Sequence, residues 1–140
     1  DLFEKTNSLK ILISCSNKYD YKNKSPFGKR EVYYGMTNEL IMNSKLILCH
    51  SSSGFWQGIY NKKKIVFLTD INLQLYNQNY VIKNNAKFLD TITLDLLNKN
   101  YQINMKINHD RYDDILSKYF LSKNNLTYDN VIFNVIENIN

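Results

Sequence analysis

Short apolar runs alternate with polar segments along the first half of the chain. Three of these runs, Leu9–Ser14, Leu46–Cys49 and Lys64–Leu68, are too short for helices and are typical of buried strands. A further stretch, Glu31–Tyr34, predicts another short strand. The segment Asn17–Arg30 is polar and holds the only proline, so it is predicted to be a loop.

Two short helices are predicted between these strands. Thr37 is a suitable N-cap for the first helix, which ends near Ser44. Ser52 or Ser53 is expected to cap the second helix, which runs to about Asn61. Helix, strand, helix and strand therefore follow one another, and this alternation is typical of an α/β fold with a parallel sheet and right-handed crossovers.

The second half of the chain has a weaker pattern. Residues 71–87 show no firm period, and residues 88–95 are either a last strand or an irregular apolar segment. Residues 110–120 predict an amphipathic helix whose apolar face consists of Tyr112, Ile115, Leu116, Tyr119 and Phe120. A later helical face, with Thr127 as its N-cap, consists of Val131, Ile132, Val135, Ile136 and Ile139. No linker or repeat divides the sequence, so one domain over residues 1–140 is expected.

Composition and charge narrow the possibilities. A chain of 140 residues with 44% hydrophobic content is expected to fold around a core. The net charge of +5 permits an anionic partner, but the basic residues are spread along the sequence, which does not favour nucleic acid. The densest run, Lys62-Lys63-Lys64, is interpreted as a solvated turn rather than a phosphate contact. No apolar stretch is long enough for a transmembrane helix.

Cysteine and histidine residues do not indicate a metal site. Cys15 and Cys49 lie in or beside apolar runs and are expected to be buried free thiols of a reducing compartment. The two histidines, His50 and His109, are far apart in the sequence, and no cysteine or histidine cluster surrounds either of them. No metal and no other cofactor is therefore expected.

The segment His50-Ser51-Ser52-Ser53-Gly54 is the main candidate binding site. It follows a predicted strand and precedes a predicted helix, a position where parallel α/β proteins bind ligands. Free backbone N–H groups and small hydroxyl residues suit a pyrophosphate or a sugar phosphate. Simple helix capping by serine is the alternative. The sequence contains neither a P-loop nor a dinucleotide fingerprint.

Four other residues are candidates for ligand contacts. Thr37 and Glu39 are most simply a helix cap and a charge that suits the helix dipole. Asp70 follows another predicted strand, so it either touches a ligand or begins a turn. Arg30 is either solvated or borders the same crevice, because the loop after the first strand opens at that edge.

Residues 34–70, YGMTNELIMNSKLILCHSSSGFWQGIYNKKKIVFLTD, resemble the donor-side half of bacterial surface-polysaccharide glycosyltransferases of the GT-B type. That family has a Thr-x-Glu-Leu-Ile helix, Asn-Ser, an apolar strand, His-x-Ser-Thr or Ser-Ser, a short helix, Lys-Pro and a further apolar strand followed by Thr and an acidic residue. The matching residues here are Thr37, Glu39, Leu40, Ile41, Asn43, Ser44, Leu46–Leu48, His50, Ser52, Ser53, Lys62, Lys64–Leu68, Thr69 and Asp70. The likeness covers residues 9–70, and Lys63 replaces the usual proline.

The resemblance implies a Rossmann-like parallel sheet flanked by helices, one half of a GT-B fold. It implies that Ser52, Ser53 and Gly54 bind the donor's phosphates, that His50 lines the pocket, and that Thr37 and Glu39 lie near the nucleotide. The implied partners are a nucleotide-sugar donor and a glycan or lipid-linked acceptor, without nucleic acid. The implied location is the cytoplasm, at the inner face of the membrane, with peripheral membrane association allowed.

Three other functions stay open at this point. Teichoic-type polyol-phosphate transferases share the outline of the motif. A non-catalytic nucleotide-sugar-binding or interaction domain is another interpretation, because a GT-B enzyme has two halves and this chain supplies one. The absence of an initiator Met favours a piece of a longer transferase over a lone domain. The third is a basic nucleic-acid binder, disfavoured by the lack of a basic stripe.

Overall fold

The computed structural model describes residues 2–18, 21, 25–50, 52–70, 78–95 and 101–120. Its elements in chain order are α1 (Leu2–Asn7), β1 (Ile13–Cys15), β2 (Val32–Tyr34), α2 (Thr37–Asn43), β3 (Leu46–Cys49), α3 (Gly54–Tyr60), β4 (Lys64–Thr69), α4 (Gln78–Phe88), β5 (Thr93–Asp95) and α5 (His109–Tyr119). The chain forms two compact units, Asp1–Ile107 and Asn108–Asn140. The predicted α/β class is confirmed: parallel strands are flanked by helices, consistent with a Rossmann-like half-domain.

The parallel strands of the first unit form two small sheets. The first sheet pairs β1 with β2, with Ile13 opposite Val32. The second sheet has the order β3-β4-β5, with Leu46 opposite Lys64 and Phe67 opposite Thr93. The crossovers β3–α3–β4 and β4–α4–β5 are the strand–helix–strand units that the alternating pattern predicts.

The central strand β4 lies in the core and is covered on both faces. Ile65, Val66 and Phe67 have no exposed surface. The helix α3 covers one face, where the ring of Phe55 packs edge-on against Phe67 at 5.7 Å. Alternate residues of a strand face opposite sides of the sheet, so Val66 belongs to the other face. A strand buried on both faces explains the continuous apolar run in the sequence.

The close packing of α3 on this sheet depends on Gly58. A Cβ atom at this position would lie 2.7 Å from Cδ1 of Ile47 and 2.9 Å from Cδ1 of Ile65. Ile47 and Ile65 are paired neighbours on β3 and β4. The absence of a side chain at Gly58 therefore allows the helix to approach both strands.

A second apolar cluster covers the opposite face of the sheet. Val66, Leu94 and Ile103 form its buried centre, and they pack against Phe3, Leu46, Leu48, Leu68 and Tyr101. Asn7 connects two parts of this cover. Its side-chain amide donates to the Tyr101 carbonyl at 2.7 Å and accepts from the Ile103 N–H at 2.9 Å. One side chain at the end of α1 thus positions the segment that carries Tyr101 and Ile103.

Three helices end with non-glycine residues in the left-handed conformation. These residues are Ser8, Lys62 and Asp90, with φ values of 51°, 50° and 51°. After α3, the N–H of Lys63 donates to the Gly58 carbonyl at 2.8 Å, a Schellman arrangement. Such turns usually contain glycine, so these three helix ends are difficult to predict from the sequence.

The structure changes some of the expected element bounds. The predicted strand Leu9–Ser14 begins later and ends one residue later, as β1, because the N–H groups of Leu9 and Ile11 donate to the backbone and the carboxylate of Glu4. The helix α4 lies in a region without a firm period, and the strand within residues 88–95 is limited to β5.

The second unit contains α5, as the apolar face over residues 110–120 predicts. Tyr112 and Ile115 are buried. Asn108 caps the helix, since its side chain accepts a hydrogen bond from the Arg111 N–H at 3.0 Å. The predicted helical face that begins at Thr127 lies outside the described residues.

Candidate functional site

The main candidate segment lies at the carboxyl edge of the three-stranded sheet. The strand β3 ends at Cys49, and the exposed residues His50, Ser52 and Ser53 follow it. Gly54 is then the first residue of α3. The segment therefore occupies the strand-to-helix position that the sequence predicts. Ser51, a predicted phosphate-binding residue, lies outside the described residues.

Hydrogen bonding within the segment differs from simple N-capping. Ser53 occupies the N-cap position, but its side chain makes no capping hydrogen bond. The hydroxyl of Ser52 instead accepts from the Gly54 N–H at 3.2 Å. Ser52, one position before the N-cap, thus satisfies the Gly54 N–H. The hydroxyl of Ser53 is not used for capping.

Gly54 lies where two helices approach each other. A Cβ atom here would be 3.3 Å from the Ser52 hydroxyl and 3.7 Å from Cδ1 of Ile41 in α2. The distance to Ile41 is an ordinary van der Waals contact, and the distance to the Ser52 hydroxyl is slightly shorter than usual. The beginning of α3 therefore lies against α2, and the two helices that follow β2 and β3 are in contact.

Thr37 contacts the first sheet rather than capping α2. The N-cap position is Met36, and no side-chain capping bond is present, so the predicted cap is wrong. The Thr37 hydroxyl lies 2.6 Å from the hydroxyl of Ser14 on β1. Sequence reasoning did not select Ser14, although a hydroxyl residue near the end of an apolar run was a visible signal.

Glu39 and Asp70 occupy their expected positions along the chain. Glu39 is exposed in the first turn of α2. Asp70 directly follows β4, and its backbone carbonyl accepts from the side-chain amide of Asn79 at 3.3 Å. Asn79 is buried in the first turn of α4, and it was not selected from the sequence. Its hydrogen bond fixes the beginning of α4 to the end of β4.

Arg30 lies at the amino edge of the two-stranded sheet and not at its carboxyl edge. Arg30 precedes β2, and in a parallel sheet the residues that enter a strand lie at the edge opposite to those that leave it. Its guanidinium forms an ion pair with Glu4 at 3.2 Å, beside a cavity of about 340 Å³. Lys10 and Glu31, which also line this cavity, are paired with each other. We interpret the Arg30 contacts as structural.

The thiols near these segments are protonated at neutral pH. Burial raises the pKa of Cys49 to about 12, and burial also raises the pKa of Cys15. Both cysteines are free and buried, as the sequence predicts. A thiol nucleophile needs an accessible thiolate, so neither residue suits that role.

Within the described part of the chain, no group of three or more His, Cys, Asp or Glu side chains could hold a metal ion. None of the described helices is long and apolar enough to span a membrane. Comparison with known proteins found no matching family model, no matching curated protein and no matching solved structure.

Proposed function

We propose that this chain is the donor-binding domain of a glycosyltransferase that builds a capsule or O-antigen type polysaccharide. The supporting observation is the β3–α3–β4 unit. Residues 34–70, which carry the resemblance to GT-B enzymes, fall on a helix, a parallel strand, a serine-containing turn, a helix and a second parallel strand. This is the order that a nucleotide-sugar site of that family requires.

The proposed ligand contact is made at the turn after β3. The donor's diphosphate lies against the exposed hydroxyls of Ser52 and Ser53 and the backbone at Gly54, with His50 at the side of the pocket. The hydroxyl donors of Ser52 and Ser53 stabilise the charge of the leaving nucleotide without a proton transfer from the protein, and the Ser52 hydroxyl that accepts from the Gly54 N–H keeps its own hydrogen for the phosphate. Thr37 and Glu39 lie near the nucleotide in this proposal, because α2 and α3 are in contact.

The proposed acceptor is a glycan or a lipid-linked glycan, and the proposed place of action is the inner face of the cytoplasmic membrane. Acceptor binding and the catalytic base belong to the second half of a GT-B enzyme. Under this proposal the present chain binds donors and transfers no sugar by itself.

Trp56 allows a direct binding test. It is the only tryptophan of the chain and lies two residues after Gly54 in α3. Addition of UDP, CMP or a nucleotide sugar should change its fluorescence and raise the melting temperature. A ligand at about one hundred times its Kd stabilises the folded state by about 2.7 kcal/mol. The double variant Ser52→Ala/Ser53→Ala should lose both responses.

The matched control is Thr6→Ala/Ser117→Ala, which removes two exposed hydroxyls from α1 and α5. It should respond to nucleotides as the unmodified chain does. Equal responses from the unmodified chain and the serine double variant would refute the assignment of the site. CDP-glycerol belongs in the same titration, since tighter binding of this ligand than of UDP- or CMP-sugars would favour a polyol-phosphate transferase.

A further inference from the structure

Asn79 is a polar residue in the interior of the fold. It lies in the first turn of α4, and its relative exposure is 9%. Its side-chain nitrogen donates to the carbonyl of Asp70, directly after β4, at 3.3 Å. Its side-chain oxygen is buried and accepts no hydrogen bond from any residue that the structure describes. An acceptor buried in this way is rare, because burial has removed its hydrogen bonds to water.

The orientation of the Asn79 amide is fixed by the group that it contacts. A backbone carbonyl only accepts hydrogen bonds, so the amide nitrogen must face Asp70 and the amide oxygen must face away from that carbonyl. The opposite orientation would place two acceptors against each other. A partner for the Asn79 oxygen must therefore be a hydrogen-bond donor.

Asn79 lies at the edge of the sheet where α3 and α4 begin. Each of these helices follows a strand of the same parallel sheet, so both first turns lie at its carboxyl edge. Both helices also cover the same face, since the rings of Trp56 in α3 and Phe88 in α4 are 6.0 Å apart. Neighbouring strands are about 5 Å apart. The beginning of α4, after β4, is therefore close to the serine segment, which follows β3.

The beginning of α4 suits a group that both donates and accepts hydrogen bonds. The first N–H groups of this 11-residue helix carry partial positive charge. A phosphate would suit these N–H groups but would be repelled by the Asn79 oxygen. A metal ion or an ammonium group would suit the oxygen but would be repelled by the positive end of the helix. A hydroxyl group donates to the oxygen and accepts from an N–H, so it suits both.

We propose that Asn79 binds a hydroxyl group of the donor and makes the site specific for hydroxylated ligands. This rests on the proposed function, in which a diphosphate lies against Ser52 and Ser53. A nucleotide sugar carries hydroxyl groups on both sides of its diphosphate, on the ribose and on the transferred sugar. The likeness to GT-B enzymes covers residues 9–70, so it assigns no role to Asn79.

The test compares ligands that differ in their hydroxyl groups, by calorimetric titration of the full 140-residue chain. The ligands are inorganic pyrophosphate, UDP, dideoxy-UDP, which lacks both ribose hydroxyls, and UDP-glucose. A hydrogen bond between neutral groups changes affinity by roughly fivefold to tenfold. If Asn79 contacts the ribose, UDP should bind more tightly than dideoxy-UDP by this factor. If it contacts the transferred sugar, UDP-glucose should bind more tightly than UDP by the same factor.

The variant Asn79→Leu keeps the branched shape of the side chain and removes its polar atoms. It should lose the preference for the hydroxylated ligand and bind pyrophosphate as the unmodified chain does, which also shows that it is folded. Asn79→Ala should behave in the same way and avoids the larger volume of leucine. The matched control is Asn84→Leu, which replaces an exposed asparagine of the same helix and should keep the preference.

Two results would overturn the role of Asn79 while the proposed function stands. In the first, the unmodified chain binds UDP but gains no affinity from any hydroxyl group. In the second, both Asn79 variants keep the preference of the unmodified chain, which would mean that a buried water serves the oxygen. If neither pyrophosphate nor any of the nucleotides binds to the unmodified chain, the proposed function and the role of Asn79 are both overturned.

Discussion

The two sheets of this protein have the same parallel pairing but are stabilised differently. In the three-stranded sheet, Ile65, Val66 and Phe67 of the central strand have no exposed surface. In the two-stranded sheet, only Cys15 is buried. The central strand of the three-stranded sheet is therefore shielded from water on both faces, and neither strand of the two-stranded sheet is.

Polar contacts at its amino edge partly replace burial in the two-stranded sheet. The carboxylate of Glu31 accepts from the Lys10 ammonium and from the Tyr33 hydroxyl, the latter at 2.5 Å. The second ion pair there joins Arg30 to Glu4. The Lys10–Glu31 pair is exposed, and exposed pairs contribute little to the free energy of unfolding, whereas the Arg30–Glu4 pair is partly buried. Most of the free energy of unfolding is thus expected to come from the three-stranded sheet.

Truncation of Phe67 should have the largest effect. Phe67→Ala removes a fully buried ring from β4 and its contact with Phe55, and it should cost about 3–5 kcal/mol in denaturant unfolding. Tyr33→Ala on the half-buried β2 is the comparison and should cost within about 1 kcal/mol. Similar losses from the two substitutions would contradict the difference between the sheets.

A methyl group added at Gly58 should separate α3 from the three-stranded sheet. Gly58→Ala places a Cβ atom within 2.9 Å of side-chain atoms of Ile47 and Ile65, and overpacking of this kind costs about 1–3 kcal/mol. Gly54→Ala in the same helix meets no atom closer than 3.3 Å and should cost less. The prediction fails if thermal unfolding gives the reverse order.

Asn7 tests how the second face of the sheet is covered. Asn7→Ala removes the hydrogen bonds that position Tyr101 and Ile103, and at about 1 kcal/mol per bond the expected cost is about 2 kcal/mol. Amide hydrogen exchange should rise at Ile103, whose N–H loses its acceptor. Unchanged protection at Ile103 would mean that the apolar cluster alone positions this segment.

The two-stranded sheet should be the more sensitive of the two to acid. The N–H of Ile11, and to a smaller extent Arg30, holds the pKa of Glu4 below its usual value of 4.5. A lowered folded-state pKa means that the stabilisation is present above the unfolded value and is lost as the pH falls through the folded value. Glu4→Gln should therefore reduce the decrease in the free energy of unfolding as the pH falls below about 4.5, measured by denaturant unfolding at a series of pH values. Thr6→Ala on the same helix adds or removes no titrating group and should leave the slope unchanged.

A substitution at Ser8 should have the smallest effect, because it changes neither sheet directly. Ser8 has a φ of 51°, a conformation that costs a non-glycine residue about 1 kcal/mol. Ser8→Gly should stabilise the chain by a few tenths to about 1 kcal/mol, whereas Ser8→Ala should not. A Tm that is equal in the two variants would show that the strain is absent.

The three-stranded sheet is also the part that the sequence predicts best. The runs Leu46–Cys49 and Lys64–Leu68 match β3 and β4 closely, because the middle of β4 is buried on both faces and β3 is at least half-buried, so apolar residues follow one another in both strands. The helix α4 was not predicted, since its buried side includes Asn79 and Ala86 while Tyr80 and Val81 are exposed. Its apolar period is therefore hidden in the sequence.

The candidate site was predictable in position but not in detail. The serine segment follows a clear strand, so its place at the carboxyl edge follows from the topology. The contact between Thr37 and Ser14 joins residues 23 positions apart, and local pattern carries no information on such a pair. Arg30 was expected at the carboxyl edge because its loop begins after β1. Arg30 itself stands at the other end of that loop, before β2, and so lies at the amino edge of the two-stranded sheet.

The burial of Cys49 has a consequence for experiments on the serine segment. Its thiol stands at the junction of β3 and that segment, and both its burial and its pKa of about 12 oppose alkylation in the folded state. Its labelling rate, followed by peptide mass spectrometry, thus reports how often this junction opens. A ligand bound at Ser52 and Ser53 would slow the labelling of Cys49. The labelling rate therefore reports ligand binding in the unmodified chain.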